Sequence, residues 1–297
     1  MRILVTGAGG HVGGAVLQRL YAEGHSLIAL GRNPLPSLSP EIEMLHVDIT
    51  SPDAAEHVLQ KASPLDGVVH CAACQTGDAE ALMKTNYFGT KQLLEAARKA
   101  GASRFIYLGS MSYLRRPLEL PVTEVHPLDM AGPYAASKYL GEWIVLQEEK
   151  ELKGISLRIS SPVGAGLKYR RIFRFFVEKA LRNEDILLHG QGGRRQDYVD
   201  VRDVAEAVQL ALTKDTGRGA ALFNIASGRA LSNLALAERC IAVLNSGSEI
   251  RFSGEEDPDE NMAWQISIDR AEAQLNYVPR FSIDDSILAL AGELEQA

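Results

Sequence analysis

The first 160 residues alternate short, almost continuously apolar runs with longer amphipathic segments. The apolar runs are rich in β-branched residues and predict six strands: RILVTG, SLIALG, EMLHVD, DGVVHC, RFIYLGS and GISLRIS. The amphipathic segments between them predict helices over 10–23, 52–62, 80–100 and 133–151. Because strands without a polar face must be covered on both sides, this alternation predicts an α/β fold with a doubly wound parallel sheet.

The alternation changes after residue 162. The next segments predict a helix over 169–183, a glycine-rich turn, HGQGGRRQDYV, and a helix from Asp203. A strand, ALFNIA, a helix from Ser232 and an acidic loop, SGEEDPDEN, follow. We therefore expect a sheet domain over 1–162, which segments near 199–226 re-enter, and a smaller C-terminal lobe over 163–198 and 227–297.

Composition and charge exclude several classes of protein. The 297 residues are 46% hydrophobic and carry a net charge of −7. This acidic balance argues against a nucleic-acid surface, so we expect no nucleic-acid partner. No run approaches the roughly 18 apolar residues that span a bilayer, and the apolar start, RILV, is too short for a secretory signal. We expect a cytoplasmic protein with no membrane partner.

The cysteines do not predict a redox or metal function. Three cysteines are too few, and odd in number, for a disulfide framework. Cys71 and Cys74 match C-x-x-C, but no second pair accompanies them, and they follow a strand instead of opening a helix. His70 is the nearest additional ligand in the sequence. We expect these cysteines to be small packing residues, and we expect no metal site.

The segment VTGAGGHVGG joins the first predicted strand to the first predicted helix. Gly7, Gly10 and Gly13 have the spacing G-x-x-G-x-x-G. Such a turn needs a residue that tolerates positive φ, close approach of the backbone to a pyrophosphate, and tight packing of the helix on its strand. The free N–H groups of the helix N-terminus attract phosphates. At this position in the alternation, the segment predicts binding of a dinucleotide.

The end of the second strand is where such a fold holds the cofactor ribose. The sequence there reads ALGRN, with Gly31 in place of an acidic residue and Arg32 next. A guanidinium suits a 2′-phosphate and cannot accept a hydrogen bond from a 2′-hydroxyl. We therefore predict NAD(P) as cofactor, with NADP favoured. Asp48, after the third strand, either accepts from the adenine amino group or caps a turn, and the sequence leaves both interpretations open.

Tyr134 and Lys138 stand four residues apart in GPYAASKYLGE, at the start of a predicted helix. Pro133 suits the first helical position, and the i, i+4 spacing puts both side chains on one face. Lowering a tyrosine pKa from about 10 to about 7 takes roughly 4 kcal/mol. An ammonium about 4 Å away in a partly buried site supplies about that much. We therefore predict that Lys138 lowers the pKa of Tyr134, beside the hydroxyl of Ser110 at the end of the fifth strand.

These segments together resemble the extended short-chain dehydrogenase/reductases, in the NAD(P)-dependent sugar epimerase/dehydratase family. The resemblance covers nearly the whole chain and rests on TGAGGHVG, VVHCAA, TNYFGT, FIYLGS, YAASK, LRISSPVGAG, RRQDYVDVRDVA, FNIASG and LNYVPRFSIDDSI. It implies a Rossmann fold and hydride transfer between a nicotinamide and a secondary alcohol or carbonyl. The implied catalytic residues are Tyr134 as proton shuttle, Ser110 as ligand of the substrate oxygen, Lys138 on the nicotinamide ribose, and Asn86 as support of the lysine.

The resemblance also implies where cofactor and substrate bind. The predicted cofactor contacts are Gly7, Gly10, His11, Val12, Gly13, Arg32, Asp48, Ile49, Cys71, Ala72, Ala73, Tyr134, Lys138, Ser161, Pro162 and Val163. The smaller lobe is expected to bind the substrate, with Ser112, Arg174, Arg194 and Arg195 as candidate contacts. The basic residues of the 169–183 helix either recruit an anionic substrate or lie in solvent, and both interpretations stay open.

Five residues, at four places in the chain, depart from the family pattern. Met111 and Ser112 follow Ser110 where 4,6-dehydratases have an acidic pair, which argues against dehydration. Gln196 stands where an arginine usually clasps a nucleotide diphosphate, a contact sensitive to geometry. Ser161 replaces an asparagine that is frequent in sugar epimerases, and Arg32 is unexpected in an epimerase that retains NAD.

The leading hypothesis is an epimerase or reductase of a nucleotide-linked sugar. An NADP-dependent reductase of a small, non-nucleotide carbonyl compound is the alternative; the last three departures favour it, and the arginines at 194 and 195 and in the 169–183 helix oppose it. A catalytically silent dinucleotide sensor is a third hypothesis, against which the retained Tyr134 and Lys138 argue. The resemblance further implies a homodimer that forms through the helices over 80–100 and 133–151.

Overall fold

The computed structural model describes residues 1–35, 38–130 and 132–296. Its strands are β1 (Arg2–Thr6), β2 (Ser26–Gly31), β3 (Glu43–His46), β4 (Gly67–His70), β5 (Arg104–Ser110), β6 (Lys153–Ile159), β7 (Ser161–Val163), β8 (Ile186–Leu188), β9 (Arg195–Asp200), β10 (Ala221–Ile225), β11 (Ala230–Ser232) and β12 (Ile250–Phe252). Its α-helices are α1 (His11–Ala22), α2 (Ala54–Ala62), α3 (Ala79–Met83), α4 (Thr90–Lys99), α5 (Pro133–Val145), α6 (Ile172–Leu181), α7 (Val201–Thr213), α8 (Asn233–Val243), α9 (Asp269–Leu275) and α10 (Ile283–Glu295).

The central sheet has seven parallel strands in the order β10-β6-β5-β4-β1-β2-β3. The direction of chain order reverses between β1 and β4: β2 and β3 follow on one side of this point, and β5 and β6 follow on the other. Open sheets of this kind bind ligands outside the carboxyl ends of the strands at such a reversal. The predicted doubly wound Rossmann fold is confirmed, and all six predicted strands belong to this sheet.

Buried apolar clusters cover both faces of the sheet. Successive residues of β1 point to opposite faces, so Ile3 and Val5 pack in one cluster, with α1 and α7, and Leu4 packs in the other, with α2 and α4. All three side chains are inaccessible to solvent. Because both faces are covered, the strands read as continuous apolar runs.

The C-terminal half contributes to the sheet and also forms a separate core. β10 pairs with β6 at the edge of the central sheet. A third apolar cluster joins α6, α8 and α10 around Phe173, Phe176, Leu236 and Leu290. Two small sheets, β11-β9-β7 and β12-β8, lie in this half. The proposed boundaries of the sheet domain and the lobe stay a prediction.

Two of the predicted helices differ from the observed ones. The helix predicted over 133–151 ends at Val145, although polar residues that favour helix follow. The chain returns into β6 so closely that a Cβ at Gly154 would lie 1.9 Å from the carbonyl oxygen of Val145. The helix predicted over 80–100 is divided by a π-helical turn, Lys84–Gly89. Such turns are frequent at functional sites.

The described residues contain no candidate for a membrane span, because none of their helices combines the necessary length with the necessary hydropathy. Across the same ranges, His, Cys, Asp and Glu side chains nowhere gather in the groups of three that hold a metal ion.

Candidate active site

The glycine-rich turn lies between β1 and α1, at the reversal of strand order. Gly7 has φ of +67°, which favours glycine, and its N–H bonds the carbonyl of Leu30 at 3.2 Å. A Cβ at Gly7 would lie 2.6 Å from the backbone nitrogen of Ala72, and one at Gly13 would lie 2.1 Å from the carbonyl oxygen of Gly7. No side chain caps the N-terminus of α1 at Gly10. Because no side chain caps it, the N-terminus of α1 keeps backbone N–H groups available for phosphates, and the turn therefore fits a dinucleotide.

Arg32 and Asp48 follow β2 and β3, and both are exposed. Oδ1 of Asp48 accepts from the backbone nitrogen of Thr50 at 2.9 Å and from its hydroxyl at 2.8 Å. The bond from the Thr50 backbone, with help from the charge of Arg32, lowers the pKa of Asp48. Asp48 thus caps a turn, which was one of the two interpretations from the sequence. Arg32 lies close enough for its charge to lower the pKa of Asp48. Ile49 packs in the core against Gly89.

The segment after β4 lines the same edge of the sheet. His70 is buried between two hydroxyls: its Nδ1 lies 2.7 Å from Oγ1 of Thr6, and its Nε2 lies 3.0 Å from Oγ1 of Thr90. Burial lowers the pKa of His70 to about 3, so its ring is neutral. Loss of water around Cys71 raises the pKa of that thiol to about 12. Cys71 is therefore an unreactive thiol, consistent with packing.

Tyr134 and Ser110 meet at the carboxyl edge, from α5 and β5. The Ser110 hydroxyl lies close enough to the Tyr134 hydroxyl to lower the pKa of the phenol. Ser110 also bonds to Ser112, whose hydroxyl lies 2.9 Å away and whose backbone nitrogen lies 3.1 Å away. These bonds form because Ser110 caps a 3-10 turn, Met111–Tyr113, after β5. The turn holds the Ser110 hydroxyl at the carboxyl edge of the sheet, beside Tyr134.

Lys138 lies one helical turn beyond Tyr134 and is buried. Its Nζ donates to the carbonyl of Leu108 at 2.7 Å and lies 4.1 Å from the centre of the Tyr107 ring. The Lys138 carbonyl accepts from the hydroxyls of Tyr107, at 2.9 Å, and Tyr113, at 3.3 Å. These contacts fix the lysine to the carboxyl end of β5, close to Ser110.

The pKa values of this pair correct the sequence prediction. Burial raises the pKa of Tyr134, and the bond to Ser110 and the charge of Arg171 oppose this rise only in part. Burial also lowers the pKa of Lys138 to about 7, although the charge of Glu142 opposes that fall. The amine therefore loses its proton well below the pH at which the phenol ionises, so it is not the cation that would acidify Tyr134. The predicted lowering is wrong because burial penalises both charges, and Tyr134 is a proton donor at neutral pH.

Asn86 lies buried in the π-helical turn and holds two segments together. Its Oδ1 accepts from the backbone nitrogen of Cys74 at 2.8 Å, and its Nδ2 donates to the carbonyl of Cys74 and to the hydroxyl of Ser137, both at 2.9 Å. The Ser137 hydroxyl in turn donates to the carbonyl of Tyr134 at 2.9 Å. Asn86 thus supports α5 through Ser137, and the expected contact with Lys138 is indirect.

A buried ion pair behind Lys138 was missed by the sequence analysis. Glu142, one further turn along α5, accepts from Arg158 of β6 at 2.7 Å and from the Ser156 hydroxyl at 2.8 Å. Both charged side chains are buried. A Cβ at Gly109 would lie 2.8 Å from Oε2 of Glu142, so the carboxylate lies against the peptide that follows Leu108. Two features of the sequence could have indicated this pair. Tyr134, Lys138 and Glu142 have the spacing i, i+4, i+8 on α5, and Arg158 is a charged residue in a largely apolar strand.

The remaining cofactor candidates lie beyond the carboxyl end of β6. Ser161 and Pro162 are half-buried and Val163 is buried, in β7, which pairs with β9. His11, at the start of α1, has a buried Nε2 with no partner among the described residues, and burial lowers its pKa to about 4. A Cβ at Gly166 would lie 3.6 Å from the His11 ring. The segment after β6 therefore packs against the start of α1, where the phosphates are expected.

The candidate substrate arginines are engaged in contacts within the chain. Arg174 donates to Oε1 of Glu178 at 2.6 Å, and Arg195 donates to the carbonyl of Ala230 at 2.9 Å. Arg194 lies 3.5 Å from Oδ2 of Asp259. Arg171, at the start of α6, is one of the basic residues of the 169–183 helix but was not among the four candidate substrate contacts, and its charge reaches Tyr134. Arg174 thus serves the packing of α6, and the charge of Arg171 acts at the Tyr134 hydroxyl.

Two curated proteins are similar to this chain over almost their whole length. The dTDP-glucose 4,6-dehydratase of Streptomyces niveus is 24% identical over 97% of the chain and 91% of its own length. A putative UDP-glucose 4-epimerase of Methanocaldococcus jannaschii is 28% identical over 96% of the chain and 95% of its own length.

A solved structure agrees with the fold, and a family model covers the segments of the candidate site. The UDP-glucose 4-epimerase of Thermotoga maritima, determined with UDP-glucose, superimposes with a TM-score of 0.88 at 24% identity, over 100% of this chain and 99% of that one. The family model for the NAD dependent epimerase/dehydratase family matches residues 3–226, which include the glycine-rich turn, Ser110, Tyr134 and Lys138. The chain belongs to the NAD dependent epimerase/dehydratase family.

Proposed function

We propose that this protein is an NAD(P)-dependent epimerase or reductase that acts on a secondary alcohol or carbonyl of a nucleotide-linked sugar. The observation that carries the proposal is the convergence of Tyr134, Ser110 and Lys138 at the carboxyl edge, opposite the glycine-rich turn. The substrate class is supported by the names of the matching relatives and of the superimposed structure, which refer to UDP- and dTDP-linked sugars.

The proposed roles follow from the contacts of each residue. Ser110 holds the reacting oxygen, and Tyr134, which keeps its proton at neutral pH, donates that proton when a carbonyl is reduced. In the opposite direction Tyr134 must first lose its proton, and the raised pKa of its phenol makes this loss unfavourable at neutral pH. When bound, the nicotinamide supplies the hydride acceptor or donor. Gly7, Gly10 and Gly13 would hold its phosphates, with Lys138 against its ribose.

Turnover of nucleotide sugars tests this proposal. We expect UDP- or dTDP-hexoses to be converted with Tyr134 intact, the product being followed by mass spectrometry and by the absorbance of reduced nicotinamide. An epimer formed without net use of cofactor, together with NAD that copurifies with the protein, identifies an epimerase. Net oxidation of NADPH identifies a reductase. Turnover of small carbonyl compounds, with no conversion of any nucleotide sugar, would instead favour the alternative reductase, which Gln196 and Ser161 support.

The cofactor preference is proposed from Arg32. Its side chain is exposed beyond β2 with no ion pair among the described residues, so its guanidinium is available to a 2′-phosphate. We expect NADPH to bind about tenfold or more tightly than NADH, since charge-assisted hydrogen bonds contribute roughly 1.5–3 kcal/mol. Arg32→Ala should abolish the difference while leaving NADH affinity unchanged, as fluorescence titration would measure. Equal affinities in the unaltered protein would contradict the proposal.

We further propose a homodimer through the π-helical turn and α5. Three large apolar side chains stand there in solvent: Phe88 is 52%, Trp143 48% and Leu140 36% exposed. An exposed apolar surface on adjoining helices favours protein association. We expect sedimentation velocity to give a dimer, and Trp143→Glu to give a monomer. Leu118→Glu, at a 73% exposed position elsewhere, is the matched control. If the unaltered protein is a monomer at tens of micromolar, this interface is excluded.

The cytoplasmic location of the protein stays a prediction.

A further inference from the structure

A small cavity of about 10 Å³ adjoins Ser110 at the carboxyl end of β5. Its other polar lining residues are Thr123, His126, Arg158 and Asn224, and apolar and aromatic side chains form the rest of its wall. A cavity of this volume has room for about one water molecule, provided that two to four polar groups are there to hold it. The hydrogen bonds of the lining residues therefore decide what the cavity binds.

Asn224 brings an acceptor to the cavity. The residue is inaccessible to solvent, and its Oδ1 is buried with no partner among the described residues. Its Nδ2 donates to the carbonyl of Val122 at 3.1 Å and to that of Ser267 at 3.3 Å. Because both of these neighbours are carbonyls, that side of the amide must carry the nitrogen. Buried acceptors are normally paired, with ordered water where no protein group reaches them.

Arg158 brings donors to the same cavity. Of the five N–H groups of a guanidinium, three are used: those on Nε and Nη2 donate to Glu142, and one on Nη1 donates to the carbonyl of Glu124 at 3.3 Å. The other two, one on each terminal nitrogen, have no partner within the part of the chain that the structure describes. Since the Arg158 side chain is only 8% exposed, these donors need a partner inside the protein.

The lining residues select a small neutral molecule that both donates and accepts. Oδ1 of Asn224 requires a donor, and the charge of Arg158 disfavours a cation. His126 does not compete for this place, because its Nε2 accepts from the backbone nitrogen of Leu118 at 2.9 Å and its Nδ1 lies 2.7 Å from the carbonyl of Pro127. Water has the required size and the required donors and acceptors.

We propose that this cavity binds one water molecule, which accepts from Arg158 and donates to Oδ1 of Asn224 and to the hydroxyl oxygen of Ser110. In the structure that hydroxyl donates to Oγ of Ser112 at 2.9 Å and accepts from its backbone nitrogen at 3.1 Å. When the Ser110 proton turns to the substrate oxygen, the Ser110 oxygen still has a lone pair for the water.

The water connects a buried charge to the reacting oxygen. A hydroxyl that accepts a hydrogen bond becomes a stronger donor, and such chains strengthen each other inside a protein. The chain from Arg158 through the water therefore strengthens the bond that Ser110 donates to the substrate. Arg158 and Asn224 are positioning residues in this arrangement. The catalytic part of the inference rests on the proposed function, whereas the water site does not.

A high-resolution crystal structure of the unaltered, cofactor-bound protein tests the water site. We expect density for one water at about 2.7–3.2 Å from Oδ1 of Asn224, from a terminal nitrogen of Arg158 and from the Ser110 hydroxyl. A cavity without such density, or a protein donor on Oδ1, would overturn the site. A water that does not reach Ser110 would overturn its connection with the substrate oxygen.

Val122→Ile tests the effect on Ser110. Val122 lines the cavity and is 1% exposed, so the added methylene displaces the water without removing a polar group. We expect kcat for the nucleotide sugar to fall about tenfold, less than the hundredfold or more that follows loss of an oxyanion donor. KM and NAD(P)H affinity should stay within about twofold, because neither binding surface changes. Val208→Ile, the same change at a fully buried residue of α7 in the same apolar cluster, is the matched control and should leave kcat unchanged.

The outcomes separate this inference from the proposed function. If the crystal structure of Val122→Ile shows the water displaced and its kcat equals that of Val208→Ile, the support of Ser110 by the water is overturned. If the unaltered protein converts no nucleotide sugar, the proposed function fails, and the crystal structure still decides the water site. That structure also decides it if Val122→Ile does not fold.

Discussion

Tyr134→Phe should reduce turnover by about three orders of magnitude or more, the upper part of the range for loss of a general acid. Phenylalanine retains the ring, so the packing of α5 stays, and only the hydroxyl beside Ser110 is removed. The proton donor is then absent from the carboxyl edge, whereas the glycine-rich turn is unchanged. We expect NAD(P)H affinity, measured by fluorescence titration, to stay within about twofold, since that turn lies on another element.

The matched control is Tyr139→Phe on the same helix. Tyr139 packs edge-on against Tyr113, with ring centres 5.8 Å apart, and its hydroxyl has no protein partner among the described residues. This substitution should leave turnover unchanged. Turnover by Tyr134→Phe at the level of Tyr139→Phe would mean that a different group moves the proton, and the proposed chemistry would fail.

Glu142→Gln should lower the free energy of unfolding by about 3–5 kcal/mol, the typical effect of removing one partner of a buried ion pair. Arg158 would remain inside the protein with its charge uncompensated, because its Nε and Nη2 both bond to the carboxylate, at 2.7 to 3.2 Å. Urea-induced unfolding followed by fluorescence measures this change.

Loss of the Glu142 charge should also lower the pKa of Lys138 further, because that charge raises it. The part of the pH–activity profile that reports the titration of Lys138 should therefore move to lower pH.

Two further variants separate the charge from the packing. Replacing both Glu142 and Arg158 with methionine removes both buried charges and should recover much of the lost stability. Glu80→Gln removes the partner of Lys84 in a pair whose side chains are 76% and 60% exposed, and should leave the unfolding midpoint unchanged. If Glu142→Gln behaves like Glu80→Gln, the buried pair does not stabilise the protein as described.

The candidate site was predictable where its residues belong to local patterns. The glycine spacing was enough to predict the turn at Gly7, because positive φ and the approach to Ala72 are properties of a few consecutive residues. The spacing of Tyr134 and Lys138 was enough to put them on one face of α5. Asp48 was predicted with two alternatives: the structure shows the cap of the turn to Thr50, and the contact with adenine stays a prediction.

The prediction failed where it required knowledge of burial. The sequence pairs a phenol with an amine, but it does not say how much water remains around them. The structure surrounds Lys138 with Tyr107, the Leu108 carbonyl and the buried pair, and both pKa values then shift against ionisation. The partners of Asn86 and Asp259 were also out of reach, because Cys74 and Arg116 come from other segments of the chain.

The sequence by itself determined the alternation of strands and helices, the glycine-rich turn and the residues available for proton transfer, because each depends on residues a few positions apart. Only the tertiary structure decided which charges meet. Arg158 and Glu142 are 16 residues apart in the chain, and Arg116 and Asp259 are 143 apart. Contacts of this range depend on how the strands pair and how the loops return to the sheet edge, and no local pattern of residues specifies them.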